Sequence, residues 1–205
     1  MAAPRHKPHD EREYIVLLSW FRGAKSILEI GSRFGYPLVD FAHCMDGKGR
    51  VVSVDLPDAE NWTPKLDTRP HLERNVMQLQ GEGYDAHLII GDSHDETVRK
   101  QVEFFGPFDV VFIDGDHTYE GAKKDWQDYG PMGRRVIFHD IVHSPLKQDE
   151  NVQVWKLWNE IRTWNNIKLN APIDEFVAPY SRMGIGYIDW NDNRPQRFQE
   201  STKAT

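Results

Sequence analysis

Short apolar runs separated by helix-patterned segments constrain this chain more than any other feature. Ser26–Ile30, Val51–Asp55, Ala86–Ile90, Phe108–Ile113 and Arg135–Phe138 read as strands. Several are apolar without alternation, as strands covered on both faces are. Between them Leu72/Val76/Leu79, Val98/Val102/Phe105 and Ala122/Trp126/Tyr129 each keep i, i+4, i+7 spacing, giving one helical face per crossover. Tyr14, Leu17, Leu18 and Phe21 predict an opening helix that Gly23 ends in a left-handed conformation. Ser93 with Glu96 three residues on predicts a capping box, and Val154, Trp158 and Ile161 predict a helix after the fifth strand. The rhythm then breaks, because Glu175–Ala178 and Gly184–Asp189 are strand candidates with no room for a helix between them. They predict an antiparallel C-terminal hairpin closing a mostly parallel, seven-stranded α/β sheet with helices on both faces.

A chain of 205 residues fits one domain. Residues 1–10 read as a loose polar arm, 11–190 as the domain and 191–205 as a polar tail. No apolar run approaches the roughly 18 residues that span a bilayer, and the start lacks the apolar stretch of a secretory signal, so the expected compartment is the cytoplasm. A net charge of −7 argues against nucleic acid as a partner. The single cysteine, Cys44, lies in an apolar run and reads as a buried structural thiol. Leu56–Pro70 is the one long irregular connection, a candidate lid carrying Trp62. The opening helix and the Trp-rich segment from Trp155 to Trp164 offer faces for a homo-oligomer.

In open α/β sheets ligands sit beyond the carboxyl ends of the strands. The first strand runs into Glu29-Ile30-Gly31-Ser32-Arg33-Phe34-Gly35, where glycines let the backbone approach a ligand. Its spacing is G-x-x-x-G, and Arg33 stands where a dinucleotide fingerprint needs its second glycine, which weighs against a nicotinamide cofactor. Asp55 follows the second strand, about 20 residues beyond the glycine loop, where a carboxylate can accept both hydroxyls of a ribose. Asp92 and Ser93 follow the third, where they either meet an adenine edge or cap the next helix.

I-L-E-I-G-S-R-F-G, S-V-D and G-D-S resemble the cofactor motifs of class I S-adenosylmethionine-dependent methyltransferases, over roughly residues 25 to 190. The resemblance implies a three-layer, Rossmann-like class I methyltransferase fold and a cofactor site of Glu29, Gly31, Ser32, Gly35, Asp55, Asp92, Ser93 and Asp114.

The segment Asp114-Gly115-Asp116-His117 and, after the next strand, His139-Asp140 put carboxylates and imidazoles at two strand ends. If the strands are neighbours, Asp114 and Asp140 converge, offering hard oxygen ligands to magnesium or another divalent ion, with His139 as a third ligand. The alternative for Asp116 is a helix cap. His139 to His143 superficially matches H-E-x-x-H, but it follows a strand and Pro145 soon interrupts any helix. I-D-G-D-H-T-Y-E-G with F-H-D resembles the metal-dependent branch similar to macrocin and rhamnosyl O-methyltransferases and cephalosporin-hydroxylase-like proteins. That resemblance implies Asp114 and Asp140 as metal ligands, His117 as catalytic base, and O-methylation of a small hydroxylated acceptor, a sugar or natural product. A non-catalytic nucleoside-binding protein of the same fold and an NAD-dependent oxidoreductase are the competing classes.

Overall fold

The computed structural model describes residues 10–56, 68–143, 151–164, 171–179 and 183–190. The chain runs α1 (Glu11–Ser19), β1 (Ser26–Ile30), α2 (Tyr36–His43), β2 (Arg50–Asp55), α3 (Arg69–Gly81), β3 (Asp85–Ile90), α4 (Glu96–Phe105), β4 (Phe108–Ile113), α5 (Tyr119–Tyr129), β5 (Gly133–His139), α6 (Val154–Trp164), β6 (Ile173–Phe176) and β7 (Ile185–Asp189). The seven strands form one sheet in the order β3-β2-β1-β4-β5-β7-β6. The first five are mutually parallel; β7 is antiparallel to both β5 and β6. The expected architecture and closing hairpin are therefore present. The strand order reverses between β1 and β4, which opens the crevice where ligands of such sheets bind.

The unbroken apolar strands follow from burial on both sides. Leu28, Val52, Val111 and Val136 face α4, α5 and α6 with Trp126 and Trp158, while Ile27, Val51, Val110 and Ile137 face α1, α2 and α3 with Phe21 and Phe41. Successive side chains of a strand point to opposite faces, so a two-sided core requires an apolar residue at each position. Each such residue contributes about 1.5–3 kcal/mol by leaving water.

Several local expectations shift. The cap of α4 is Asp95, whose carboxylate accepts the Thr97 N–H; Ser93 lies two residues too early to close a box with Glu96. Strand β6 starts at Ile173 rather than Glu175, and β5 runs from Gly133 to His139. Cys44 is half-buried, on the turn that ends α2, where it packs against the core cluster of Phe21 and Phe41. The opening helix is α1, capped by Asp10, and Gly23 has the left-handed φ of 74°. Pro70 belongs to the first turn of α3. Trp62 and the rest of 57–67, the arm through residue 9 and the tail from 191 lie outside the described residues. Among the described residues, no helix is long and apolar enough to cross a membrane.

Candidate active site

Register determines what meets at the carboxyl edge. Ile30 is level with Val54 and Ile113, and Ile113 with Phe138, so the glycine loop, Asp55, Asp114 and His139 leave the sheet side by side. Gly31 donates its N–H to the Val54 carbonyl (2.9 Å) with φ +87°, and a Cβ built on it would stand 2.2 Å from the Asp114 carbonyl oxygen. The first glycine is thus required by the close approach of the β1 and β4 ends. Gly35, φ +73°, starts α2, and a Cβ there would lie 2.6 Å from Leu72 Cδ1.

Beneath this loop runs a buried chain of side chains. The Ser53 hydroxyl donates to Ser32 Oγ (2.7 Å), and the Ser32 hydroxyl donates to Glu29 Oε2 (2.6 Å). Burial pushes the Glu29 carboxyl up to about 8 against the opposing Ser32 bond. The ordinary value is 4.5, so between about pH 4.5 and 8 the folded chain holds a proton that the unfolded chain has released. Stability accordingly falls as pH rises through that window. Glu29→Gln, which cannot ionise, is expected to flatten this decline and to exceed the parent at pH 8.5 by on the order of 3 kcal/mol. Urea denaturation between pH 4.5 and 9 measures it; parallel curves for the two proteins would refute it.

Asp55 accepts the backbone N–H of Arg33, a non-glycine residue at φ 52°. Burial raises the Asp55 pKa, and the backbone N–H groups of Arg33, Leu56 and Ser32 oppose that rise. The carboxylate therefore also holds the glycine loop in shape. The Arg33 guanidinium lies 5.3 Å from the Phe34 ring centroid. Asp92 is exposed and its Oδ1 accepts the His94 N–H (2.8 Å), forming a local turn, while the Ser93 carbonyl accepts the Tyr129 hydroxyl (2.6 Å). Neither caps α4.

Beyond β4 and β5 the two carboxylates and two imidazoles meet. His117 Nδ1 lies 2.7 Å from Asp140 Oδ2, and its Nε2 lies 3.6 Å from Asp114 Oδ1. His139 Nδ1 is 3.1 Å from Asp114 Oδ1 and 3.6 Å from Asp140 Oδ2. Asp140 and His139 are buried, whereas Asp114 and His117 remain partly open to solvent. Burial disfavours charge on Asp140, but contacts with His117 and His139 outweigh it and hold the carboxyl far below the usual range. Burial likewise opposes protonation of His139, yet Asp114 and Asp140 push it up to about 10; they raise His117 as well. Asp116 accepts the Thr118 N–H (2.8 Å), and Thr118 itself caps α5 by accepting the Gly121 N–H (3.1 Å). The residue that caps α5 is thus Thr118. Gln153 N–H donates to the His117 carbonyl (2.7 Å), tying the start of α6 to this loop.

Ligand atoms of Asp114, His117 and Asp140 lie within 4.8 Å of one another, a spacing one cation can bridge. The set expected from sequence had His139 as third ligand; its Nδ1 lies 3.1 Å from Asp114 Oδ1 and 3.6 Å from Asp140 Oδ2, so both imidazoles border the two carboxylates. Two carboxylates with an imidazole fit a divalent cation, and the exposure of Asp114 leaves room for water to complete its coordination. Trp158, by contrast, is core, and Trp155 packs 4.5 Å from the His143 ring. Sequence reasoning overlooked His94 and Asp125. Asp125 interrupts the apolar face Ala122/Trp126/Tyr129 and is fully buried, and an acid on that stripe was the available signal.

The chain has relatives of known sequence and structure. A catechol O-methyltransferase of Niastella koreensis is 22% identical over 143 residues, 69% of this chain and 61% of the relative. The chain thus spans about three fifths of the length of that curated relative. An O-methyltransferase from Bacillus cereus, solved in complex with SAH, superposes with a TM-score of 0.61 at 20% identity, covering 91% of this chain and 84% of the other. TomG from Streptomyces achromogenes, solved with SAM, gives 0.61 at 18% identity over 87% and 78%. These likenesses establish the class I methyltransferase fold. The glycine loop, the Asp114 strand end and Asp140 all fall within residues 28–141, which match the family model described as a methyltransferase domain; covering more than half of the sequence, that match makes this chain a member of the methyltransferase-domain family.

Proposed function

We propose that the protein is an S-adenosylmethionine-dependent O-methyltransferase that uses a divalent cation, magnesium or a softer ion favoured by imidazole, on a small hydroxylated acceptor such as a sugar or natural product. The observation that carries this reading is the convergence of Asp114, His117 and Asp140 against the glycine loop, through the contact of Gly31 with the Asp114 backbone. The names of the catechol and other O-methyltransferases similar to this chain support it. Net charge −7 favours a free small molecule over nucleic acid as acceptor.

S-adenosylmethionine supplies the methyl group, and a bound cation would lower the pKa of a coordinated hydroxyl. The chain itself must align the reactants and move one proton. The glycine loop and Asp55 would hold the methionine and ribose portions, with Asp92 and Ser93 toward the adenine. Asp114 and Asp140, with His139 Nδ1 beside both, would hold the cation. His117 has Nδ1 committed to Asp140, which leaves Nε2 to accept the acceptor's hydroxyl proton. Calorimetric titration with S-adenosylmethionine, with and without magnesium and with NAD as control, tests the cofactor class. Micromolar binding of the former alone is expected; binding of NAD instead would overturn the reading. Methyl transfer to hydroxylated acceptors, beginning with a catechol, is expected to stop with EDTA and return with magnesium. The 2.7 Å His117–Asp140 contact favours one second reading, a base oriented by a buried carboxylate without metal, for which EDTA would have no effect.

A further inference from the structure

We propose that His94 and Asp125 form a buried positioning pair that locks the loop after β3 onto α5 and so sets affinity for the cofactor. This inference rests on the proposed S-adenosylmethionine site and assigns a role to two residues outside the reacting groups.

Asp125 is fully buried, and the side chains that reach its carboxylate are those of His94 and Ser93, both from the loop after β3. A buried carboxyl stays ionised near neutrality only beside a counter-charge, and His94 Nε2 lies 3.4 Å from Asp125 Oδ1. The same nitrogen lies 3.3 Å from the Gly121 carbonyl oxygen. A carbonyl can only accept, so Nε2 carries a hydrogen shared between the two oxygens. His94 therefore ties the loop after β3 to two residues of α5, and the Tyr129 hydroxyl ties the same loop through the Ser93 carbonyl at 2.6 Å.

That helix also holds the other half of the site. Gly121 packs so tightly on Asp116 that a Cβ there would stand 2.1 Å from the Asp116 carboxyl carbon, and Gly115, next to Asp114, has its Cβ position 3.4 Å from Asp125 Oδ2. α5 is thus a shared anchor for the loops after β3 and β4, and the His94–Asp125 pair is its charged link. The groups acting on the imidazole are Asp125 from α5, Asp92 from its own loop and Asp116 from the loop before α5; the Asp125 contact first of all raises its pKa. Burial pushes Asp125 up, helped by the charge of Asp116, and hydrogen bonds from His94 and Ser93 pull it back. Deprotonating His94 removes the counter-charge, so affinity is expected to fall as pH rises through the raised pKa.

The test is calorimetric titration of the full chain with S-adenosylmethionine from pH 5.5 to 9, for the parent, His94→Gln and Asp125→Asn, with kcat at saturating cofactor and thermal melting measured alongside. His94→Gln keeps a donor for the Gly121 carbonyl but no charge. The expected result is about tenfold weaker binding at pH 6.5 in each variant and kcat within about twofold. The pH dependence should flatten in His94→Gln and move to lower pH in Asp125→Asn. Should Asp125→Asn not fold, His94→Gln alone decides. Variants that bind as the parent does with the same pH profile, or that lose kcat at unchanged affinity, would overturn the pair's role and leave the methyltransferase reading standing. A parent chain that fails to bind S-adenosylmethionine would overturn that reading, and this inference with it.

Discussion

Asp140→Asn is expected to reduce methyl transfer by about 10³-fold while leaving S-adenosylmethionine affinity within several-fold of the parent. Asp140 is buried at the end of β5 with a left-handed φ of 61°, a conformation that Asn adopts as readily as Asp. The backbone is therefore spared, and what changes is charge. In the parent one carboxylate faces both His117 Nδ1 at 2.7 Å and His139 Nδ1 at 3.6 Å. An amide there leaves Asp114 as the only anion among the four residues, so the cluster loses a hard cation ligand and His117 loses the group that fixes its ring. Both the metal-assisted and the metal-free reading pass through Asp140, so either predicts the loss. Binding should survive because the glycine loop and Asp55 are held from β1 and β2. Turnover with a catechol or another accepted hydroxyl compound, paired with calorimetry, measures both quantities; undiminished turnover would remove Asp140 from the chemistry.

The sequence makes the layers legible for a physical reason. A sheet buried on both faces demands unbroken apolar runs, and crossover helices demand a single apolar stripe, so β1 and β4 could be bounded to the residue. The hairpin was less sharply bounded. β6 is a sheet edge with two exposed residues, Asp174 and Glu175, and an edge strand need not have an apolar pattern. Caps were harder still, since Ser93, Asp95, Asp116 and Thr118 are all competent and only the backbone path selects Asp95 and Thr118. At the site, strand-end logic was enough to assemble Asp114, His117, His139 and Asp140. It could not show that His117 Nδ1 sits against Asp140, because that depends on the path of the loop after β4 rather than on register. Glu29 and Asp55 were legible as site positions, but not their internal duties toward Ser32 and the Arg33 amide, which are contacts across the loop.

Gly31→Ala is the substitution expected to damage fold and site together. The added methyl would stand 2.2 Å from the Asp114 carbonyl oxygen, 2.5 Å from its carbonyl carbon and 2.5 Å from Gly115 Cα, all backbone atoms that no side-chain rotation can clear. An L-residue at φ +87° adds roughly 1–2 kcal/mol of strain, and overpacking of this kind costs about 1–3 kcal/mol more. A loss of about 3 kcal/mol corresponds, for a domain of this size, to a melting temperature lower by roughly 10 °C. Gly47 separates the two contributions, because it has φ +80° with nothing within 4 Å of its Cβ position. Gly47→Ala should therefore lose only the strain, about 1 kcal/mol, and keep cofactor affinity. Gly31→Ala should lose affinity as well, since relieving the clash means separating the ends of β1 and β4, and the atoms displaced are the backbone of Asp114 itself. Thermal melting and S-adenosylmethionine titration of the two variants side by side distinguish these cases. If Gly31→Ala melted and bound as Gly47→Ala does, the close approach of the two strand ends would not be what requires glycine in this loop.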